Sequence, residues 1–229
     1  MVTAIIPWRP QPSRLAAYDA TVDWYRSNLP EAIVTIVDSD DQIFTLSRCR
    51  NLGVAGADDD VVIINDADTV PELSPLLEAI SAARVDGLVH LPYTDYRWLG
   101  AAGTAQFAAG RELSECDYEL VVGACSGVYV TTADAWWAHG GQDERFQGWG
   151  FEDAAWYLAH ETLLGRPPQR HAGRVYAQHH AAEARHGEQY EANRALMERY
   201  RAASGNTELM RQVVFEESMA DRALSRPGA

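Results

Sequence analysis

Val61-Val62-Ile63-Ile64-Asn65-Asp66-Ala67-Asp68 joins an apolar run directly to a pair of acids. Four consecutive branched apolar residues read as a buried strand, and an Asp-x-Asp pair sits at its carboxyl end. Working back, Phe44 to Ala57 reads as a helix, and Ala32 to Val37 as a second buried strand that stops at the polar turn Asp38-Ser39-Asp40-Asp41. Before it, Leu15, Tyr18, Val22 and Tyr25 recur at helical spacing in a helix capped by Ser13 and ending near Leu29. Val2 to Ile6 is a first strand, ended by Pro7. Working forward, Pro71 to Ala83 reads as a helix and Leu88 to Leu91 as a fourth strand. The first ninety or so residues therefore alternate strand and helix, the pattern of a mainly parallel sheet flanked by helices. Ligands of such sheets sit outside the carboxyl ends of the strands. Pro7 to Arg9, Asp38 to Asp41 and Asp66 to Asp68 all fall there.

The second half is less regular. Tyr93 to Gly110 reads as a loop with a short helix, Glu119 to Val122 and Gly127 to Thr131 as short strands, and Gly140 to Gly150 as a glycine-rich loop. Phe151 to Leu164 reads as a helix and Arg174 to Ala177 as one more strand. Ala181 to Ala203 and Glu208 to Leu224 read as polar C-terminal helices.

Four constellations carry chemistry. Asp66 and Asp68 can both reach one hard cation, which prefers oxygen ligands and commonly bridges carboxylates to phosphates; as a bare tripeptide, the pair also suits a solvated turn. In Arg50-Asn51-Leu52-Gly53, Arg50 can pair with a phosphate or orient an acidic side chain, and Asn51 offers a donor and an acceptor to a base edge. In the run Gly140 to Asp153, glycines permit close backbone approach, Trp149 offers an indole face to a sugar ring, and Glu152 and Asp153 open a helix. His179 and His180 follow a strand-like segment, and a neutral imidazole is a common divalent-metal ligand.

Taken in order, these pieces resemble GT-A glycosyltransferases, a Rossmann-like nucleotide-diphospho-sugar transferase fold. The likeness is to the group of β-1,4-galactosyltransferases and the galactosyltransferase-like domains of chondroitin synthases and polypeptide N-acetylgalactosaminyltransferases. Ile5-Ile6-Pro7-Trp8-Arg9, Arg50-Asn51-Leu52-Gly53, Val62 to Asp68 and Gly141 to Asp153 carry the resemblance, which covers about residues 2 to 185. It implies a catalytic domain over residues 1–180, with a donor-binding half of about 1–92 and an acceptor half of about 93–180. Residues 181–229 form a helical extension.

The resemblance implies roles residue by residue. Pro7, Arg9, Asp38, Arg50, Asn51, Asp66 and Trp149 would contact the donor. Asp68 and His180, with His179 as second choice, would bind Mn²⁺ or Mg²⁺. Glu152 would hold acceptor hydroxyls, and Asp153 would be the catalytic base. Ala177 stands where the family often has Met or His three residues before its metal-binding His. The implied reaction moves a sugar of galactose or N-acetylhexosamine type from a UDP-sugar to an acceptor hydroxyl, with inversion. The acceptor is a glycan, a lipid-linked sugar or a protein. The alternative is a non-catalytic sugar- or nucleotide-binding scaffold of the same fold.

Composition narrows the partners. The chain of 229 residues is 47% apolar with a net charge of −14, so a sizeable core is available and a nucleic-acid backbone is not the expected main partner. Three cysteines without a CxxC pair are expected to be free thiols, and no signal peptide or membrane span is indicated. A cytoplasmic protein is the expectation, with dimerisation through the C-terminal helices open to it.

Overall fold

A computed structural model of the chain describes residues 1–181 and 185–216. Its centre is the expected run of apolar strands. β1 (Val2–Pro7) pairs in parallel with β2 (Ile33–Val37) on one side and with β3 (Val61–Asn65) on the other. Val61 to Ile64 are wholly buried. Each such side chain contributes about 1.5–3 kcal/mol by leaving water. Between these strands run α1 (Leu15–Asn28) and α2 (Leu46–Ala55). Arg14, not Ser13, occupies the N-cap position of α1, and no side chain caps it.

The fourth strand is not where simple alternation puts it. After α3 (Leu73–Asp86) come the two residues of β5 (His90–Leu91), but β8 (Val128–Thr131) lies between β5 and β3. It is antiparallel to both. The short β9 (Gln169–Arg170) then pairs in parallel with β5, giving the order β2-β1-β3-β8-β5-β9.

A second sheet of four strands packs beside the first, in the order β4-β10-β6-β7. β4 (Thr69–Pro71) follows the Asp-x-Asp pair directly, β6 (Asp95–Trp98) occupies part of the expected loop, and β7 (Glu119–Leu120) borders it. β10 (Arg174–Ala177) runs between β4 and β6. Its last turn of chain is fixed by the Gln178 N–H donating to Asp68 O at 2.8 Å, so this sheet delivers the histidine pair to the Asp-x-Asp turn.

α4 (Gly100–Ala108) and α5 (Ala133–Ala138) flank the sheets, and α6 (Glu152–Leu164) begins at the glycine-rich loop. Two helices follow it, α7 (Glu188–Ala203) and α8 (Thr207–Val214). The first starts later than the polar pattern suggests. The expected helical turns over 182–184 and 217–224 lie outside the described residues. Phe146, Ala155, Ala159, Met197, Tyr200, Met210 and Val213 form a second apolar core, so the C-terminal helices are packed onto α6.

Candidate active site at the strand ends

The carboxyl ends of β1 and β3, the segment after β10 and the start of α6 enclose a cavity of about 580 Å³. Pro7 and Arg9 line it from β1, Asp66 and Asp68 from β3, Trp149, Glu152 and Asp153 from the glycine-rich loop and α6, and His180 from the end of β10. The expected site residues Asp38, Arg50, Asn51 and His179 do not line it.

Arg50 lies beneath the cavity floor. It is wholly buried, with Nη2 donating to Asp66 Oδ1 at 2.6 Å and Nη1 to Asp153 Oδ1 at 2.6 Å and Gln142 Oε1 at 2.8 Å. Its guanidinium carbon also sits 5.1 Å from the Tyr129 ring centroid. A group with no exposed surface cannot pair with a phosphate. Of its two sequence readings, the geometry fits the orienting one: the fork joins a carboxylate of the Asp-x-Asp turn to a carboxylate of α6.

Asn51 is likewise an anchor and not a base-reader. Its Oδ1 accepts from Trp136 Nε1 and from the Gln142 N–H, both at 3.0 Å, and its Nδ2 donates to Gln142 O at 2.8 Å and Glu144 Oε1 at 2.9 Å. Three of these four bonds hold the glycine-rich loop at Gln142 and Glu144, and the fourth ties Asn51 to Trp136 of α5. Gly141, at φ +66°, lies against it; a Cβ there would fall 2.6 Å from Asn51 Oδ1. Gly53 lets α2 approach β1, since a Cβ there would meet Ile5 Cγ2 at 2.3 Å. The Arg-Asn-x-Gly spacing thus puts three buried residues toward the core and leaves Leu52 exposed.

Asp153 accepts on Oδ1 from Arg50, from Tyr129 Oη and, at 3.3 Å, from Gln142 Nε2. Among the described residues no hydrogen bond reaches its Oδ2. Beside it, burial and the Asp153 charge push the Glu152 carboxyl up to about 8. The two neighbours are therefore differentiated: Asp153 is fixed by its hydrogen bonds to Arg50, Tyr129 and Gln142, while Glu152 keeps its proton near neutral pH. Burial also outweighs the pull of Arg50 at Asp66, raising that carboxyl to about 6.

At the other wall, His180 Nε2 lies 3.2 Å from Asp68 Oδ2, while His180 Nδ1 lies 2.8 Å from Ala181 O. With Nδ1 turned to that carbonyl, Nε2 and a carboxylate oxygen face the same point. Two acceptors converging in this way suit a divalent cation, and the residues present fit Mn²⁺ or Mg²⁺ with further ligands from phosphate or water. Among the described residues no group of three or more His, Cys, Asp and Glu surrounds such a point, so the protein's own share is this pair. The ring of His179 faces away, 6.0 Å from the Trp98 ring, and the His179 backbone N–H donates to Thr104 Oγ1 at 2.8 Å.

Arg9 lines the cavity as expected, and Asp38 stands behind it. Arg9 Nε donates to both carboxylate oxygens of Asp38, at 2.9 and 3.1 Å, and this pairing holds the Asp38 carboxyl below its usual range. Trp149 is 37% exposed, with Tyr190 of α7 stacked near it at 6.1 Å and the Arg185 guanidinium 4.4 Å from its ring.

Sequence reasoning missed Asn65, Gln142 and Tyr129. Asn65 donates to Asp66 O and Thr69 O, both at 2.7 Å, and so shapes the Asp-x-Asp turn. Asn65 and Gln142 sit inside quoted motifs, which was the available signal. Tyr129 reads only as a strand residue.

The central sheet and its flanking helices match the GT-A fold of solved glycosyltransferase structures. No family model matches the chain, and no curated protein matches it by sequence. Among solved structures, it is similar to the catalytic domain of Drosophila β1,4-galactosyltransferase 7 in complex with xylobiose. Identity is 15% and the TM-score 0.52, over 84% of this chain and 79% of that one. It is also similar to GalNAc-T7 with UDP, GalNAc and Mn²⁺, at 11% identity and a TM-score of 0.59, over 97% of this chain and 57% of that one.

Proposed function

We propose that the chain is a metal-dependent glycosyltransferase that moves a sugar of galactose or N-acetylhexosamine type from a UDP-sugar to an acceptor hydroxyl. One observation carries this reading: the Asp68–His180 pair and the Glu152–Asp153 pair face the same strand-end cavity. The first suits a cation on a diphosphate, the second a proton leaving a hydroxyl. The ligands named for the similar structures, UDP with GalNAc and Mn²⁺ in one and xylobiose in the other, support the same assignment.

In this reading Arg9 and Trp149 border the donor, and Asp66, tied to Arg50, sets the turn that carries Asp68. Bound at Asp68 and His180, Mn²⁺ or Mg²⁺ would neutralise charge on the diphosphate as a Lewis acid. Asp153 Oδ2 takes the proton of the acceptor hydroxyl. The hydroxyl oxygen forms the new bond to the anomeric carbon as the bond to the UDP oxygen breaks, and UDP leaves with the electron pair. A single displacement from the opposite face inverts the anomeric centre. Arg50 keeps Asp153 aimed, and protonated Glu152 donates a hydrogen bond to an acceptor oxygen. The acceptor is a glycan, a lipid-linked sugar or a protein side chain.

The test is UDP release from a panel of UDP-sugars with and without Mn²⁺. Release that requires Mn²⁺ and one donor supports the proposal and identifies the sugar. A protein that neither binds UDP nor releases it in the presence of Mn²⁺ is a scaffold instead.

A further inference from the structure

A second cavity, of about 670 Å³, abuts the first through two pairs of adjacent residues. Ser126 lines the first and Cys125 the second; Asp153 lines the first and Ala154 the second. Tyr93 Oη donates to Ser126 O at 2.6 Å in the wall between them. Met197 and Arg201 of α7 also line it, so this C-terminal helix contributes a wall of the cavity.

The chemistry of the two cavities is opposite. Four carboxylates line the first, whereas no carboxylate lines the second. Its charges are two arginines, in a chain with 33 acidic and 19 basic residues. Arg201 is paired with Glu198 at 2.5 Å. Arg170 has no carboxylate partner among the described residues. It donates from Nη2 to Ala124 O, lies over the Tyr93 ring at 5.4 Å and is also hydrogen-bonded to the Tyr93 and Tyr157 phenols, neutral partners that fix the fork without cancelling its charge. The remaining wall is apolar and aromatic, and beyond Val121 the chain continues as Val122, 89% exposed. A guanidinium without a carboxylate partner, set in an apolar and aromatic wall, suits an anion carried on an apolar group.

We propose that this cavity binds an amphipathic anion, a phosphate or carboxylate on an aliphatic or aromatic group, with Arg170 as its charge partner. It lies one residue from Asp153, so its occupant is the non-sugar part of the acceptor. That last step rests on the transferase reading; the binding site itself does not.

Calorimetry with octyl phosphate, below its micelle concentration, tests the site without turnover. Wild-type protein is expected to bind octyl phosphate at least about tenfold more tightly than inorganic phosphate or octanol, and Arg170→Gln to weaken it about tenfold. Arg170→Lys, which keeps the charge, should retain most of the affinity. Leu158→Trp, which fills the cavity, should lose it. Saturating UDP with Mn²⁺ should leave binding unchanged. Binding no tighter than that of inorganic phosphate, displacement by UDP and Mn²⁺, or an unaltered affinity in folded Arg170→Gln would overturn the proposal. Octyl phosphate binding in a protein that fails every UDP-sugar assay would retain the site and sink only the transferase reading.

Discussion

Arg50 and Asp153 lie 103 residues apart in sequence and 2.6 Å apart in the fold, with the arginine wholly buried. The same guanidinium holds Asp66 at 2.6 Å, so one side chain sets the geometry of both walls of the cavity. Removing it leaves two carboxylates without their partner. Breaking a buried pair by deleting one side costs about 3–5 kcal/mol. At about 2–4 °C per kcal/mol for a chain of this size, Arg50→Met should lower the melting temperature by roughly 6–20 °C. Thermal denaturation followed by circular dichroism measures this. A loss under about 2 °C would show that the two carboxylates do not depend on Arg50.

Asn51 should behave as a structural anchor. Its four hydrogen bonds at about 1 kcal/mol each put the cost of Asn51→Ala at roughly 2–4 kcal/mol, with UDP affinity in the folded fraction changed less than about twofold. Calorimetry below the melting transition separates the two effects. A stable variant with weakened UDP binding would restore Asn51 to the donor site.

The metal pair makes a prediction that distinguishes adjacent residues. Asp68→Ala and His180→Ala should each weaken Mn²⁺-dependent UDP binding about tenfold or more, as loss of a ligand does. His179→Ala should leave it within about twofold, as surface substitutions do. Equal losses at both histidines would contradict the placement of His180 against Asp68.

Glu152 supplies a pH signature. Its carboxyl is raised to about 8 by burial and by Asp153, above the ordinary 4.5 it regains on unfolding. The folded state therefore holds a proton that the unfolded state releases, and stability from this group is greatest below about pH 4.5 and falls as pH rises to about 8. Glu152→Gln, which mimics the protonated form, should be increasingly stable relative to wild type from pH 5 to 8, then level off. Melting temperatures of the two proteins across that range check it; a constant difference would place Glu152 in contact with solvent.

The parts of the fold that could be read from sequence are those written in local patterns. The runs Val2 to Ile6 and Val61 to Ile64 announce buried strands, and β1 and β3 pair in parallel as the alternation requires. The insertion of β8 between β3 and β5 rests on pairing Val62 with Thr131, and no local pattern encodes a contact at that separation. β4 escapes because three residues carry no periodicity. At the site, Arg50 and Asn51 look like a polar helix face until α2 is docked, when the same residues become its buried side. The resemblance ranks His180 before His179 by position alone; the extended chain after β10 turns His179 to Trp98 and His180 to Asp68.

The most direct test is UDP release from UDP-sugars by wild type and Asp153→Asn, each with Mn²⁺, alongside calorimetric UDP binding. With Asp153 as the base, the variant should lose about 10²–10⁴-fold in rate while binding UDP as wild type does. Transfer that survives in Asp153→Asn, or a wild type that binds UDP and Mn²⁺ yet transfers to no acceptor class, would contradict the account.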